Sequence, residues 1–513
     1  NGATEDNKPW YDIALESGFD PATGRFEYPS DDMSTNYTPT YALFHGTIGY
    51  TVECGENNEA SVTMGKYGLI GHTAYVAENK DDLYLNQLEF FRRALNNEES
   101  PETEKWFVTQ DNQVEANFRE KDEYGKFYPE YYVIPTDADS QRDIADAYFM
   151  QEYFIRNGVQ VEKLTEDVTV DGVTYKAGAF VIDMHQISRS FANAVLYKGK
   201  IVKNWTGLYS ESVTNFPELR GFDCTAITKA GVFEGKTADA NTVEYGTAWV
   251  TTYGNTATVI SNYCLAAVNA VNDLLAKGVT VGFITEAGDH YSKGDFVIDH
   301  KDAGQIDDQY VIEITHVADV PKAKVITEPK VYVDDDHFDR FAFSRQMNFK
   351  TTSDVSEANV VFSSNEPEED VQAAVKAGLP FVGASANILE YAKATIPGFD
   401  FDIQWIIEEG MYGPEEVYND YEALFNVEYA DSLITASYAA DGDFTTYTKG
   451  GSIISAYPEE AAVLMRASSE DNFYKAGWWN GIDDPEAGLK GHAVAIDYQA
   501  NGLDMTVHLL RKT

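Results

Sequence analysis

Tyr175-Lys-Ala-Gly-Ala-Phe-Val-Ile-Asp183 returns, little changed, as Tyr291-Ser-Lys-Gly-Asp-Phe-Val-Ile-Asp299. Ahead of the first copy stands Arg156-Asn-Gly-Val-Gln-Val161, and ahead of the second Ala276-Lys-Gly-Val-Thr-Val281. Further upstream each copy carries apolar residues at helical spacing. Ile144, Tyr148 and Ile155, with Gln151 at the same spacing, mark the one within 141–157, and Leu265, Val268, Val271 and Leu275 the other within 262–277. Asn157-Gly158 stops the first helix, and Asp171-Gly172 marks a hairpin. Tyr131-Tyr-Val-Ile134 adds a strand before the first helix. Strand, helix and strand in that order predict an α/β fold with a parallel sheet. The recurrence marks an internal duplication of helix, turn and hairpin.

The same alternation resumes beyond Lys322. Val331-Tyr-Val333 and Val360-Val-Phe362 read as strands, followed by a helix over 367–377, the strand Pro380-Phe-Val-Gly383 and a helix from Ala386. This predicts a second parallel sheet with flanking helices. Shorter strand-like segments follow within 423–513, among them Val463-Leu-Met-Arg466 and His492-Ala-Val-Ala-Ile496. Residues 96–125 read as a charged linker, and residues 1–40, rich in Asp, Asn, Pro, Ser and Tyr, as irregular loops.

With 84 acidic against 38 basic residues the formal charge is −46. A field of that sign repels phosphate backbones and anionic membranes, which excludes nucleic acid as a partner class. The acid is spread along the chain, as on a solvated surface in a salty or extracellular setting. The 33 Tyr and 28 Phe argue for packed cores and against disorder. Cys54, Cys224 and Cys264 are too few and too scattered for a disulfide framework, with one bridge left open. No apolar run reaches the length of a membrane-spanning segment.

The stretch that points to chemistry is Phe44-His-Gly-Thr-Ile-Gly-Tyr-Thr-Val-Glu-Cys-Gly55. Tyr50, Thr51 and Val52 favour extended structure between glycines, so a short strand delivers Glu53 at its end. A helix follows, with Tyr84, Leu88, Phe91 and Leu95 at i, i+4, i+7 and i+11. Residues 41–95 resemble the end of the catalytic domain of the zinc carboxypeptidase (carboxypeptidase A-like) family. There a glycine-led strand with an aromatic residue, Thr, any residue and Glu carries the catalytic glutamate, and a helix closes the domain.

The resemblance implies Glu53 as the catalytic residue. It also implies zinc as cofactor, a peptide or protein substrate and hydrolysis of a C-terminal peptide bond. Zinc lowers the pKa of its bound water, while the carboxylate takes the proton and returns it to the leaving amine. The family holds zinc through an H-x-x-E pair and a distant histidine upstream of the glutamate. Only 52 residues precede Glu53, His45 is the sole histidine among them, and no H-x-x-E occurs anywhere in the chain. The expectation is therefore a processed or truncated C-terminal portion, whose zinc-bearing segment sits on a separate or lost upstream chain. Tyr28 and Tyr37 do not fall at the family's substrate-tyrosine spacing.

The C-terminal unit resembles the glutamine-amidotransferase-like domain found behind the peptidase domain in some large bacterial zinc carboxypeptidases. The matching residues are Ala476-Gly-Trp-Trp-Asn-Gly481 and Leu489-Lys-Gly-His-Ala-Val-Ala495. Amidotransferases place a nucleophilic cysteine on a strand-to-helix turn; the turn here, Gly383-Ala-Ser-Ala-Asn387, has Ser385 instead. The expected organisation is α/β throughout. Residues 1–125 form the end of a carboxypeptidase-like domain and 126–321 an α/β region with internal duplication. Residues 322–513 form a doubly wound amidotransferase-like domain, read as non-catalytic.

Localisation is expected to be extracellular or at the cell surface. The alternative is a non-catalytic surface or scaffold protein that retains the peptidase-family fold. Asp183 with His185 and Asp299 with His300 suggest a metal pair, but their offsets differ and strand-end acids commonly satisfy loop amides. Asp334-Asp-Asp-His-Phe-Asp339 lacks EF-hand spacing and reads as a solvated helix start.

Overall fold

The computed structural model describes residues 19–20, 25–26, 37–49, 57–99, 126–199, 201–202, 213–306, 309–333, 337–396, 403–405, 407–410, 413–416, 422–438, 444–449, 452–479, 481–482 and 488–509. The chain is α/β, with helices alternating with mixed sheets. Near its start are α1 (Thr38–Phe44) and the 37-residue α2 (Glu59–Leu95).

β1 (Tyr131–Ile134), α3 (Ile144–Arg156), β2 (Glu162–Leu164) and β3 (Phe180–Asp183) build the next sheet. The expected parallel pairing does not form here: β3 lies antiparallel between β1 and β2. The reason is local. A hairpin over 168–175 and Gly178 at φ 97° turn the chain back, so the returning strand fills the gap that the helical crossover leaves. Beyond β3 come α4 (Arg189–Leu196), the short strand Ile201–Val202 and α5 (Phe216–Arg220), then β4 (Thr225–Ile227) and β5 (Thr237–Asp239). The sheet order is β5-β2-β3-β1-β4.

The second sheet uses β6 (Trp249–Thr252), β7 (Ala257–Ile260), α6 (Leu265–Ala276), β8 (Gly282–Ile284), β9 (Phe296–Asp299), β10 (Glu313–Val317) and β11 (Ala323–Val325). Its order is β6-β10-β7-β9-β8-β11, which repeats the first sheet strand for strand and adds β6 at one edge. The registers agree residue by residue. Ile134 faces Phe180 and Tyr131 faces Asp183; Ile260 faces Phe296 and Ala257 faces Asp299. Gly294 at φ 98° takes the place of Gly178. The two stretches that recur in sequence thus occupy equivalent elements. In the first copy α4 and α5 fill the connection that the second copy spans with one 3-10 turn, His300–Gln305.

Each helix packs its inward face on its sheet, but not the stripe the spacing predicts for α6. Ala267, Ala270, Val271 and Leu274 are buried, while Leu265 is exposed. The two alanines permit close helix–sheet approach, which rotates the larger side chains aside. In α3 the buried face is Ile144, Ala147, Met150, Gln151 and Phe154, and it packs with Tyr132, Phe180 and Ile182.

α3 is capped by the buried Asp143, whose carboxylate accepts from Asp146 N at 3.0 Å. Burial pushes its pKa up to about 6 from 3.8. The native state therefore holds more protons than the unfolded chain between about pH 4 and pH 6, and stability falls as pH rises through that window. Asp143→Asn keeps the cap acceptor and removes the charge. It is expected to raise stability at pH 7 by about 1–3 kcal/mol, at roughly 1.4 kcal/mol per unit, and to flatten the pH dependence. Urea midpoints at pH 4 and pH 7 check this.

The third sheet begins with β12 (Lys330–Val333), α7 (His337–Phe341), β13 (Lys350–Thr352), β14 (Val360–Ser363), α8 (Glu369–Lys376), β15 (Phe381–Ala384) and α9 (Ala386–Thr395). It continues through β16 (Glu422–Tyr429), β17 (Phe444–Lys449), β18 (Ala462–Ala467), β19 (Tyr474–Trp478), β20 (Ala493–Tyr498) and β21 (Met505–His508). Strands β13-β12-β14-β15-β21 are parallel, as the alternation predicts. From β21 the sheet continues antiparallel through β20, β18, β16 and β19, so the doubly wound pattern covers only its first half. Among the described residues no helix separates those late strands, and short connections favour antiparallel neighbours.

Candidate functional site

Glu53, Cys54 and Tyr28 lie outside the described residues; the segments flanking Glu53 do not. On one side, α1 packs on α4 through Phe44 and Phe191, whose rings are 6.2 Å apart, and Tyr41 Oη donates to Asn157 Oδ1 at 2.9 Å. Gly46 then turns at φ 75° against Phe91, where any Cβ would meet the ring at 2.5 Å. Gln87 Nε2 donates to its carbonyl at 2.7 Å. Gly49 passes so close to Pro39 that a Cβ would sit 2.7 Å from its carbonyl oxygen. Two of the glycines that frame the motif thus serve close packing of α1 on its neighbours.

On the other side, Asn58 caps α2 by accepting from Ser61 N at 3.0 Å. The far end of α2 is pinned by the buried Arg189. Its guanidinium donates to Asn97 Oδ1 at 2.7 Å and to the Glu98 carbonyl, and it lies 4.3 Å from the Tyr128 ring centre. Between these anchors α2 is kinked at Asn79, whose φ −113° and ψ 16° are non-helical, so it is two helical segments joined at that residue. The expected inward stripe of Tyr84, Leu88 and Leu95 is exposed, as are Val62 (69%), Tyr67 (62%), Leu69 (70%) and Val76. The exposed apolar side chains between Val62 and Val76 share the helix with Glu78, Lys80, Asp81, Asp82, Glu89 and Arg92, which make its second half polar.

The described residues do not supply the zinc site that the resemblance implies. His45, the one histidine upstream of Glu53, packs against the Tyr41 and Phe191 rings at 4.7 and 5.7 Å. Among the described residues no three His, Cys, Asp or Glu side chains gather as a metal site. The strand-end acids do what such acids commonly do. Asp183 accepts from His185 N at 2.8 Å and Asp299 from Lys301 N at 3.0 Å, the same turn in both copies. Their histidines part company: His185 Nδ1 is 2.9 Å from Asp183, whereas His300 Nδ1 is 3.1 Å from Thr258 Oγ1. Cys224 and Cys264 are free thiols, and burial raises the pKa of Cys264 to about 12.

The carboxyl ends of the parallel strands hold a second cluster. Asp339 is not the solvated helix-start residue expected from its acidic run: it is 1% exposed and accepts from Ser364 Oγ at 2.9 Å. Ser364, at the end of β14, accepts Ser385 Oγ on its carbonyl at 2.7 Å. Ser385 joins β15 to α9 with φ 94° and ψ 161°, a region that is essentially glycine-only. Holding any other residue there costs about 1–3 kcal/mol. One neutral hydrogen bond returns only about 0.5–1.5 kcal/mol, so the tie to Ser364 does not by itself account for a serine at this turn. His508 ends β21 in register with Ala384, and its carbonyl accepts from Ser385 N at 3.0 Å. The strand-to-helix turn was legible in the sequence; its backbone strain and the burial of Asp339 had no sequence signal.

No family model matches the chain, and no curated protein matches it. Among solved structures it is similar to a protein assigned as a GMP synthase subunit from Thermoplasma acidophilum. The two share 10% identity over 36% of this chain and 84% of that chain, with a TM-score of 0.23. A ThuA-like protein from Parabacteroides merdae shares 8% identity over 36% of this chain and 81% of that chain, with a TM-score of 0.24. At such TM-scores neither likeness bears on the fold or the function. Among the described residues no helix is long and apolar enough to cross a membrane.

Proposed function

We propose that this chain supplies the catalytic glutamate of an exported metallocarboxypeptidase that removes C-terminal residues from peptides or proteins. Glu53 takes the proton of the attacking water and then hands it to the leaving amine. Zinc, held by residues outside this chain, would supply a water activated near neutral pH. The observation that carries the reading is α2, which follows the Glu53 segment, bends at Asn79, is held at its far end by Arg189 and exposes apolar side chains between Val62 and Val76. The body of a peptidase domain is what such a helix closes. The C-terminal sheet then serves as an accessory amidotransferase-like domain.

The test is complementation. This chain, combined with a segment that carries the H-x-x-E pair and the later histidine, is expected to release single C-terminal residues from an unblocked peptide. Chelation should abolish the activity and added zinc restore it. Failure of the correctly folded, zinc-loaded combination would favour the scaffold reading.

A further inference from the structure

The second sheet ends in a strand that the first repeat lacks. β6 lies beyond β10, and among the described residues no strand pairs with its outer edge. It adds no side chain to a buried core: Trp249 (45%), Val250 (44%) and Tyr253 (55%), which follows it, are exposed. Natural edge strands are usually guarded by charge, proline or a cover, because their unpaired amides invite another strand. Here no Asp, Glu, Lys, Arg or Pro occurs from Tyr245 to Asn272, in a chain whose formal charge is −46.

The backbone register decides what such an edge fits. Trp249 N donates to the Ile312 carbonyl at 2.8 Å and Tyr253 N to the His316 carbonyl at 2.8 Å. Trp249, Thr251 and Tyr253 thus turn their backbone groups to β10, while Val250 and Thr252 turn theirs outward. An antiparallel copy of the same strand satisfies those outward groups reciprocally when Val250 lies opposite Thr252 of the second copy. That alignment puts a twofold axis at Thr251 and sets Trp249 opposite Tyr253 of the second copy, on both sides of the axis. Thr251 and the two aromatic residues share one face of the strand. Aromatic pairs and Thr–Thr pairs across strands both favour pairing. A peptide of unrelated sequence would gain the main-chain bonds without these pairs. The uncharged edge is also where two chains of like charge approach at least cost.

We propose that β6 pairs antiparallel with β6 of a second copy, in a twofold dimer whose second sheets join edge to edge. One short edge buries less than the roughly 1,000 Å² of a permanent interface, so the dimer is reversible and concentration-dependent. Neither Glu53 nor zinc enters the contact, so its fate and that of the peptidase reading are separable.

The test is sedimentation of the full chain over a series of protein and NaCl concentrations. The expected result is a monomer–dimer equilibrium that moves toward dimer as salt screens the repulsion between the acidic chains. Val250→Pro removes an outward amide and should abolish the dimer at an unchanged melting temperature. Under mild oxidation Thr251→Cys should cross-link, because non-hydrogen-bonded antiparallel partners lie about 4.5 Å apart at Cα, within disulfide reach. Val250→Cys, out of step with its own copy, should cross-link no more than the parent chain. Should Val250→Pro unfold, the two cysteine variants decide alone. A parent chain that stays monomeric at every concentration and salt overturns the proposal. So does a dimer that survives Val250→Pro, fails to cross-link through Thr251→Cys or cross-links equally through Val250→Cys.

Discussion

Glu53→Gln, made in the complemented zinc-loaded assembly, is expected to lower kcat about 10²–10⁴-fold, the usual contribution of a positioned general acid–base. Gln matches Glu in size and keeps an oxygen acceptor, but it cannot take the water proton or return one to the amine. KM should move little, because the substitution removes an interaction that matters in the transition state rather than in the bound ground state. The melting temperature should hold, since the flanking segments are fixed by contacts that do not involve Glu53, among them Gln87 on Gly46 and Asn58 on Ser61. A parallel loss of stability would instead mean a structural carboxylate.

The largest stability effect is expected at Glu422, which is fully buried where the first repeat meets the C-terminal sheet. One carboxylate oxygen accepts from Val213 N at 3.0 Å and the other from Tyr447 Oη at 2.8 Å. Val213 belongs to the α4–α5 connection, and just before it Ile201–Val202 pairs in parallel with Gly477–Trp478. Glu422→Ala strands the buried amide of Val213, at about 1–3 kcal/mol, and takes one acceptor from the half-buried Tyr447 hydroxyl, so a loss of about 3 kcal/mol is expected. Glu422→Gln keeps one acceptor and should lose about half of that. Denaturant midpoints read the loss, and amide exchange should rise first at Val213 and along β19. A loss below about 1 kcal/mol for Glu422→Ala would place the joint elsewhere.

The repeat was legible because phenylalanine, valine, isoleucine and aspartate must alternate across a strand whose two faces are both covered. Phe180 and Ile182 pack with α3, while Val181 joins Val133 and Leu164 on the other face. Its pairing was not legible. Strand–helix–strand order makes β1 and β2 point the same way, but it does not say whether a third strand slots between them. Gly178 and Gly294 decide that, through turns whose positive φ has no distinct mark in the sequence. The parallel strands β12, β14 and β15 were readable from their short apolar runs between helices. The inward face of α6 was misread, because periodicity weighs leucine above alanine while close packing favours Ala267 and Ala270. At the candidate sites the residue types were visible and the environments were not. Asp339 looks like one more exposed acid in an acidic chain, and only tertiary packing buries it.

The most direct test is to measure zinc content and turnover together in the wild-type and Glu53→Gln assemblies. The expected result is one zinc per assembly in both, with turnover lost only where Glu53 is replaced. Equal turnover in the two would contradict the proton-transfer role given to Glu53, and wild-type turnover in an assembly without zinc would contradict the zinc-activated water.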